Sequence, residues 1–340
     1  MARMRRTPWR TAIRQAWRTR GRDDHLLLPE RLEGAVYGHL WGDALGVPYE
    51  FLSADRINEV AWQGGGAHGQ PPGTWSDDGA LMLALLDSLL SAGFDPTDQG
   101  RRALAWRDEG AYAPGGIVFD VGTSTTVALH ALRSGQPAEA AGAVDAKGNG
   151  SLMRILPLAL VFREVADAEL VAMAVRASRV THGSAEAQIA CALYALIVRR
   201  LLAGAEDRAA VLVDARRVVR DQLAAQGLPG SKEAASPDAA LAELDAFEAW
   251  SGRGGRGRVV DSFWSAWDAF ASAADYVAAV TAAVRYGSDT DTTAAIAGGL
   301  AGVCFGIEAV PSAWQRGLRD RPIAQTLVDR LVETDRSEWD

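Results

Sequence analysis

The sequence predicts an all-α fold, a single globular domain of many helices behind a short basic arm, and three observations predict it. Apolar residues recur at helical spacing almost without interruption from Glu30 onward. Alternating β-branched runs are nearly absent, which leaves room only for short, peripheral strands. The 340 residues are 48% hydrophobic and 23% charged and show no internal repeat of fixed period, as one large globular domain requires. Residues 1–28 form the arm, where Trp9, Ile13 and Trp17 stand four apart and would share a helix face, with Arg10, Arg14 and Arg18 on an adjoining one. The domain, residues 29–340, carries periodic runs at 81–90, 127–132, 169–178, 185–202, 208–225, 239–250, 262–271, 276–284 and 293–304. Two linkers interrupt them. Residues 226–237, rich in Gly, Ser and Pro, join two surface helices. Residues 251–258 (SGRGGRGR) read as a flexible, solvated connector, a phosphate-contacting loop being the alternative.

Composition excludes several classes. The longest apolar stretches, 189–198 and 294–307, fall short of the roughly 18 residues a membrane span needs. No apolar stretch precedes a small-residue cleavage site near the N-terminus, so a cytoplasmic protein is expected. Cys191 and Cys304 lie far apart in Ala-rich surroundings and read as small buried hydrophobes rather than a disulfide or a metal site. The first 22 residues hold eight arginines and no acid, so the rest of the chain carries −16 against the overall −8. An acidic body is a poor general partner for nucleic acid, which leaves only the arm as a candidate for such contact.

Chemistry concentrates in residues 73–78 (GTWSDD) and 287–292 (GSDTDT). Each sets two carboxylates and a hydroxyl at the mouth of an apolar helix. Such residues also serve as helix caps, and a single cluster of this kind reads as a cap first. Two clusters about two hundred residues apart point further. Neighbouring buried acids repel, and a divalent cation removes that cost. Hard cations such as Mg²⁺ and Mn²⁺ take carboxylate, hydroxyl and water oxygens.

Five blocks in this order make the chain resemble the ADP-ribosylglycohydrolase family, which includes the dinitrogenase reductase-activating glycohydrolases. They are residues 38–51 (GHLWGDALGVPYEF), 75–78 (WSDD), 119–123 (FDVGT), 148–154 (GNGSLMR) with Thr181-His182, and 289–296 (DTDTTAAI). The resemblance implies an all-α globule with a cleft that holds two Mg²⁺ or Mn²⁺ ions. By its implication the metal ligands are Ser76, Asp77, Asp78, Asp289, Asp291 and Thr292. Relatives usually have Thr where this chain has Ser76, a change that keeps the hydroxyl. They usually have Thr or Ser where it has Gly79, a change that removes a polar group beside the site. The reaction implied is hydrolysis of the bond between C1″ of ADP-ribose and its acceptor. Glu50, on a loop read as mobile, matches the gating acid that would polarise water or protonate the leaving group. Asp120 matches an aspartate over the reacting ribose, against the reading of an Asx turn before Gly122. Substrate contacts fall to Gly122, to the backbone of Gly148-Asn149-Gly150 and to His182, whose other reading is a structural histidine. Lys147 stands where some relatives place an aromatic residue near the adenosine, and would favour a phosphate contact instead.

The resemblance thus implies a metal-dependent hydrolase acting on an ADP-ribosylated macromolecule, with arginine as one candidate acceptor. An immunity protein that binds an ADP-ribosyltransferase toxin through the N-terminal arm, with or without hydrolysis, is the alternative. Aromatic anchors flanked by arginines suit such an interface. A catalytically silent relative is the third reading, and retention of all six ligand positions argues against it.

Overall fold

A computed structural model of the chain describes residues 26–228, 230–231 and 234–336. The arm's Trp9, Ile13, Trp17 and arginines lie outside the described residues. Among the described residues fourteen α-helices follow one another: α1 (Leu28–Gly46), α2 (Asp77–Ala92), α3 (Pro96–Glu109), α4 (Thr123–Arg133), α5 (Leu156–Val161), α6 (Asp167–Arg179), α7 (Ala185–Leu202), α8 (Arg208–Gln226), α9 (Pro237–Glu248), α10 (Val259–Ala271), α11 (Tyr276–Val284), α12 (Thr290–Phe305), α13 (Ser312–Gly317) and α14 (Arg321–Arg336). Strand pairing among the described residues is confined to isolated bridges, Ser53 with Gly287, Gly65 with Gln70, Ala143 with His182 and Gly148 with Arg258. The all-α expectation is met.

Local chemistry starts the helices. Ser76, Asp95, Ser184, Asp207, Ser236 and Asp275 each accept a backbone N–H two or three residues ahead, which satisfies donors that the first turn leaves open. Residues 226–237 do join two helices, α8 and α9. Helices α1, α3, α5, α13 and α14 fall outside the periodic runs. For α1 the reason is burial: its residues 34–46 are all buried, so no polar face alternates with an apolar one.

The centre is the pair α1 and α12. Every residue of α12 from Thr290 to Val303 is buried. Along α1, glycines recur every fourth residue, at 34, 38, 42 and 46. An added Cβ would lie 2.2 Å from Gly302 O at Gly34, 2.5 Å from Gly298 O at Gly38 and 2.1 Å from Ala294 O at Gly42. At Gly46 it would lie 2.4 Å from the Asp291 Cα. The two backbones therefore touch, closer than helices separated by ordinary side chains. Tyrosines seal the seam: Tyr276 OH donates to Gly38 O at 2.6 Å and Tyr194 OH to Ile296 O at 3.0 Å.

Gly42→Ala should therefore cost about 3 kcal/mol or more, because the obstacle is backbone and cannot swing aside. Denaturant and thermal unfolding measure this, with an expected fall of about 5–10 °C in Tm. An unchanged midpoint would show that the helices do not meet so closely.

Candidate functional site

The close approach of α1 and α12 sets an aspartate of α1 against the start of α2. Asp43, fully buried, accepts Ser76 N–H at 2.9 and 3.0 Å and Gly79 N–H at 2.8 Å. Those are first-turn donors of α2, so Asp43 shares the work of capping it. Ser76 Oγ and Thr292 Oγ1 both donate to Asp78 Oδ2, at 3.2 and 3.1 Å, which ties α2 to α12. Asp78 Oδ1 is buried with no partner. Asp291 Oδ1 accepts Thr292 N–H at 3.0 Å, while its Oδ2 is likewise buried and unpartnered. Asp289 Oδ2 accepts from Asn149 Nδ2 at 2.8 Å, and the same amide donates to Ser262 Oγ at 2.9 Å.

Two reciprocal bonds hold Glu50 beside this floor: Phe51 N–H to Ser288 O and Ser288 N–H to Leu52 O, both 2.7 Å. Ser288 takes a left-handed φ of 63° to make that turn. Glu50 is 4% exposed, and His68 Nε2 lies 2.5 Å from its Oε2. Both bonds tie the segment read as mobile just after Glu50. Asp120, also left-handed at φ 55°, sets its carboxylate 3.7 Å from the same imidazole.

Carboxylate oxygens of Asp43, Asp78 and Asp291 lie within 4.8 Å of one another, as do those of Glu50, Asp289 and Asp291. Burial pushes Asp43, Glu50, Asp77, Asp78 and Asp291 up, and repulsion between neighbours adds to it. Asp43 is pushed up to about 7 and Glu50 to about 9, while Asp77, Asp78 and Asp291 stand well above the usual carboxylate range. Asp120 is raised too, by burial first and by Asp289 second. Among the described residues no Lys or Arg pairs with any of them, and His68 is the one basic side chain in contact. An all-oxygen donor set with two orphaned buried oxygens fits a hard divalent cation.

The residues that the resemblance assigns to substrate contact fall as follows. Gly148 and Gly150 face His182: an added Cβ would lie 3.2 Å from its Nε2 and 2.7 Å from its Cε1. Burial, then Arg154, pushes His182 down to about 3, so the ring is neutral, and its Nδ1 is unpartnered. Gly122 precedes α4 with open space around it, an added Cβ meeting only Thr125 Oγ1 at 3.9 Å. Lys147 Nζ pairs with Glu186 at 3.0 Å, and Arg258 grips the same carboxylate.

Sequence reasoning missed three things here. Residues 251–258 are part of the wall: Gly255 O accepts Asp289 N–H at 2.8 Å and Gly257 O accepts Asn149 N–H at 3.1 Å. Asp43 lay inside residues 38–51, and its signal was the one acid in the stretch 34–46. His68, in a Gly-rich loop, gave no signal. Gly79, where a polar group is missing, is filled by packing, since a Cβ would meet Leu40 and Trp75 at 2.7 and 2.8 Å.

The sequence profile of the family described as ADP-ribosylglycohydrolase matches residues 24–340. The chain is 30% identical over 314 residues to the ADP-ribosylarginine hydrolase Tri1 of Pseudomonas putida (strain GB-1), covering 90% of this chain and 80% of that protein. It is 27% identical over 292 residues to the ADP-ribosyl-[dinitrogen reductase] glycohydrolase of Rhodospirillum rubrum, covering 84% and 89%. A solved structure titled "ADP-ribosylglycohydrolase-related protein complex" superposes with a TM-score of 0.72 at 34% identity, over 90% of this chain and 98% of that one.

The raised carboxyls bind protons more tightly folded than unfolded, so they lower stability as pH rises. In chelator, their contribution should fall from about pH 4, the unfolded range, through about 7 for Asp43 to about 9 for Glu50. Mg²⁺ or Mn²⁺ should raise Tm by a few °C, about what millimolar saturation of a site delivers, and more at pH 8 than at pH 5. Thermal unfolding across pH with and without the cation reads both; a cation effect equal at the two pH values would remove the carboxyl cluster as its source.

Proposed function

The chain belongs to the ADP-ribosylglycohydrolase family, and from that premise we propose a metal-dependent hydrolase that releases ADP-ribose from an ADP-ribosylated side chain, with arginine as the acceptor. The observation that carries the proposal is the pair of orphaned buried oxygens, Asp78 Oδ1 and Asp291 Oδ2, with the Asp291 carboxyl grouped with Asp78 on one side and with Glu50 on the other. The arginine acceptor draws support from the similarity to an ADP-ribosylarginine hydrolase. The cleft also suits it, since a wall of acids favours a cationic guanidinium.

Ser76, Asp77, Asp78, Asp289, Asp291 and Thr292 would hold two Mg²⁺ or Mn²⁺ ions, with Asp43 fixing the start of α2 behind them. Bound there, the ions would supply Lewis-acid orientation of the ribose hydroxyls and water. The protein's own part follows from charge. Breaking the C1″–N bond leaves its electron pair on the guanidine nitrogen and builds oxocarbenium character on the sugar, which Asp120 at the cleft wall stabilises. Water attacks C1″, its proton passes to Glu50, and Glu50 returns a proton to the leaving nitrogen. A carboxyl held above its usual range by burial suits that exchange near neutral pH. The backbone of Gly148-Asn149-Gly150, with neutral His182 behind it, cradles the diphosphate, and Gly122 gives close approach on the ribose side.

Incubation with Mg²⁺ and arginine-, serine- and nucleic-acid-linked ADP-ribose should release free ADP-ribose from the arginine-linked substrate. Asp289→Ala or Asp291→Ala should cut turnover at least about a hundredfold, and chelator should do the same to the wild type. Full activity of either variant in chelator would overturn the metal reading. Glu50→Gln should collapse kcat while ADP-ribose binds with similar affinity; a parallel loss of affinity would make Glu50 a binding residue instead.

A further inference from the structure

We propose that His68 is a positioning residue for Glu50, holding its carboxyl in the orientation that the proton exchange needs. This rests on the hydrolase reading above and adds to it a residue outside the family motifs. The imidazole Nε2 lies 2.5 Å from Glu50 Oε2 and 3.7 Å from Asp120 Oδ1, so one ring reaches both acids of the cleft wall. Glu50 has no other hydrogen-bond partner among the described residues, which leaves Oε1 unengaged.

The ring is itself fixed. It lies between Phe51 and Phe119, centroids 5.7 and 5.2 Å away, both tilted. Its loop closes by Gly65 N–H to Gln70 O at 2.7 Å, and Gln70 Nε2 donates to His68 O at 3.2 Å. The same loop abuts the turn that carries Glu50, since a Cβ at Gly66 would lie 2.5 Å from Pro48 O. The two loops therefore meet twice, once through backbone and once through the imidazole–carboxyl contact. Three sequence-distant segments thus meet at His68: the Glu50 turn, the Gly-rich loop and the stretch before α4. A ring that served only to pack would not need both acids. A ring that orients a carboxyl needs a short contact to one of its oxygens and a rigid seat, and both are present.

The test uses the full-length protein, Mg²⁺ and an ADP-ribosylated arginine substrate. His68→Ala should lower kcat by about ten- to a hundredfold, the range that supporting partners of reactive groups command, with KM and ADP-ribose affinity within about threefold. His68→Gln, which keeps a donor and an acceptor at similar reach, should recover a large part of the loss. Combined with Glu50→Gln, His68→Ala should add almost nothing, since its effect passes through Glu50. Unchanged kcat in His68→Ala, losses that multiply in the double variant, or a loss that follows ADP-ribose affinity would each overturn the proposal. A second measurement is independent of turnover. The ring ¹⁵N shifts of His68 should move on Glu50→Gln, and fixed shifts would remove the contact. If wild-type protein turned over no ADP-ribosylated substrate, the hydrolase reading would fall while the shifts still judged the pairing.

Discussion

The contact of two bare backbones, α1 against α12, is the constraint on which the rest of the structure hangs. Helices with ordinary side chains between them keep axes about 8–10 Å apart. Here glycines at 34, 38 and 42 abut Gly302, Gly298 and Ala294, so nothing bulkier than a hydrogen separates the chains. The consequence falls on the residue next to Gly42. Asp43 reaches the open donors at the start of α2, and Asp291, whose Cα faces Gly46, stands within ligand distance of it. A methyl group between the helices would move the two carboxylates apart by more than a hydrogen bond tolerates. Packing and chemistry are one constraint at this point.

Gathering these acids in one place has a cost that the fold alone does not meet. The starts of α2 and α12 both point at the cluster, and a helix N-terminus favours a carboxylate by about 0.3–1 kcal/mol, up to about 2 in buried geometry. Burying a charge costs several kcal/mol per ion, and mutual repulsion adds to that. Hydrogen bonds from Ser76, Thr292 and Asn149 recover part of the difference. Two oxygens remain with nothing, so the balance stays against the ionised cluster unless protons or cations enter. Protons answer the need until pH passes the raised ranges of these carboxyls, about 7 for Asp43 and about 9 for Glu50. Above that a divalent cation is the remaining answer, since helix caps alone leave the two oxygens without a partner.

Much of this was legible in the sequence because it is local. Two acids and a hydroxyl at a helix mouth are written in six consecutive residues, and the helices from 185 to 202 and 276 to 284 carry apolar patterns long enough to read. What was not legible is what lies between segments. Helix α1 is buried on every side, so its pattern has no polar phase, and its glycine spacing has meaning only once Gly298 and Gly302 are known to face it. Asp43 was visible as an acid but not as a cap for a helix that begins more than thirty residues later. His68 sits in a run of glycines that reads as a turn. The connector at 251–258 looked solvated because its composition is polar, yet its carbonyls serve the backbones of Asp289 and Asn149.

The site therefore divides into a floor and walls with different physics. The floor is carried on α1, α2 and α12, and its geometry is set by contacts that leave no slack. The walls are loops, joined to the floor and to each other by a few hydrogen bonds: Phe51 and Leu52 with Ser288, Gly257 with Asn149, His68 with Glu50. A helix contact without side chains admits almost no substitution, whereas a loop tied at its ends admits change between the ties. Both parts place charge, since the floor holds Asp43, Asp78 and Asp291 while the walls bring Glu50 and Asp120, and misplacing a carboxylate by about 1 Å costs about a hundredfold in rate. Phe51 and Ile117, the exposed apolar side chains near Glu50 and Asp120 in the chain, carry no charge and so stand outside that demand.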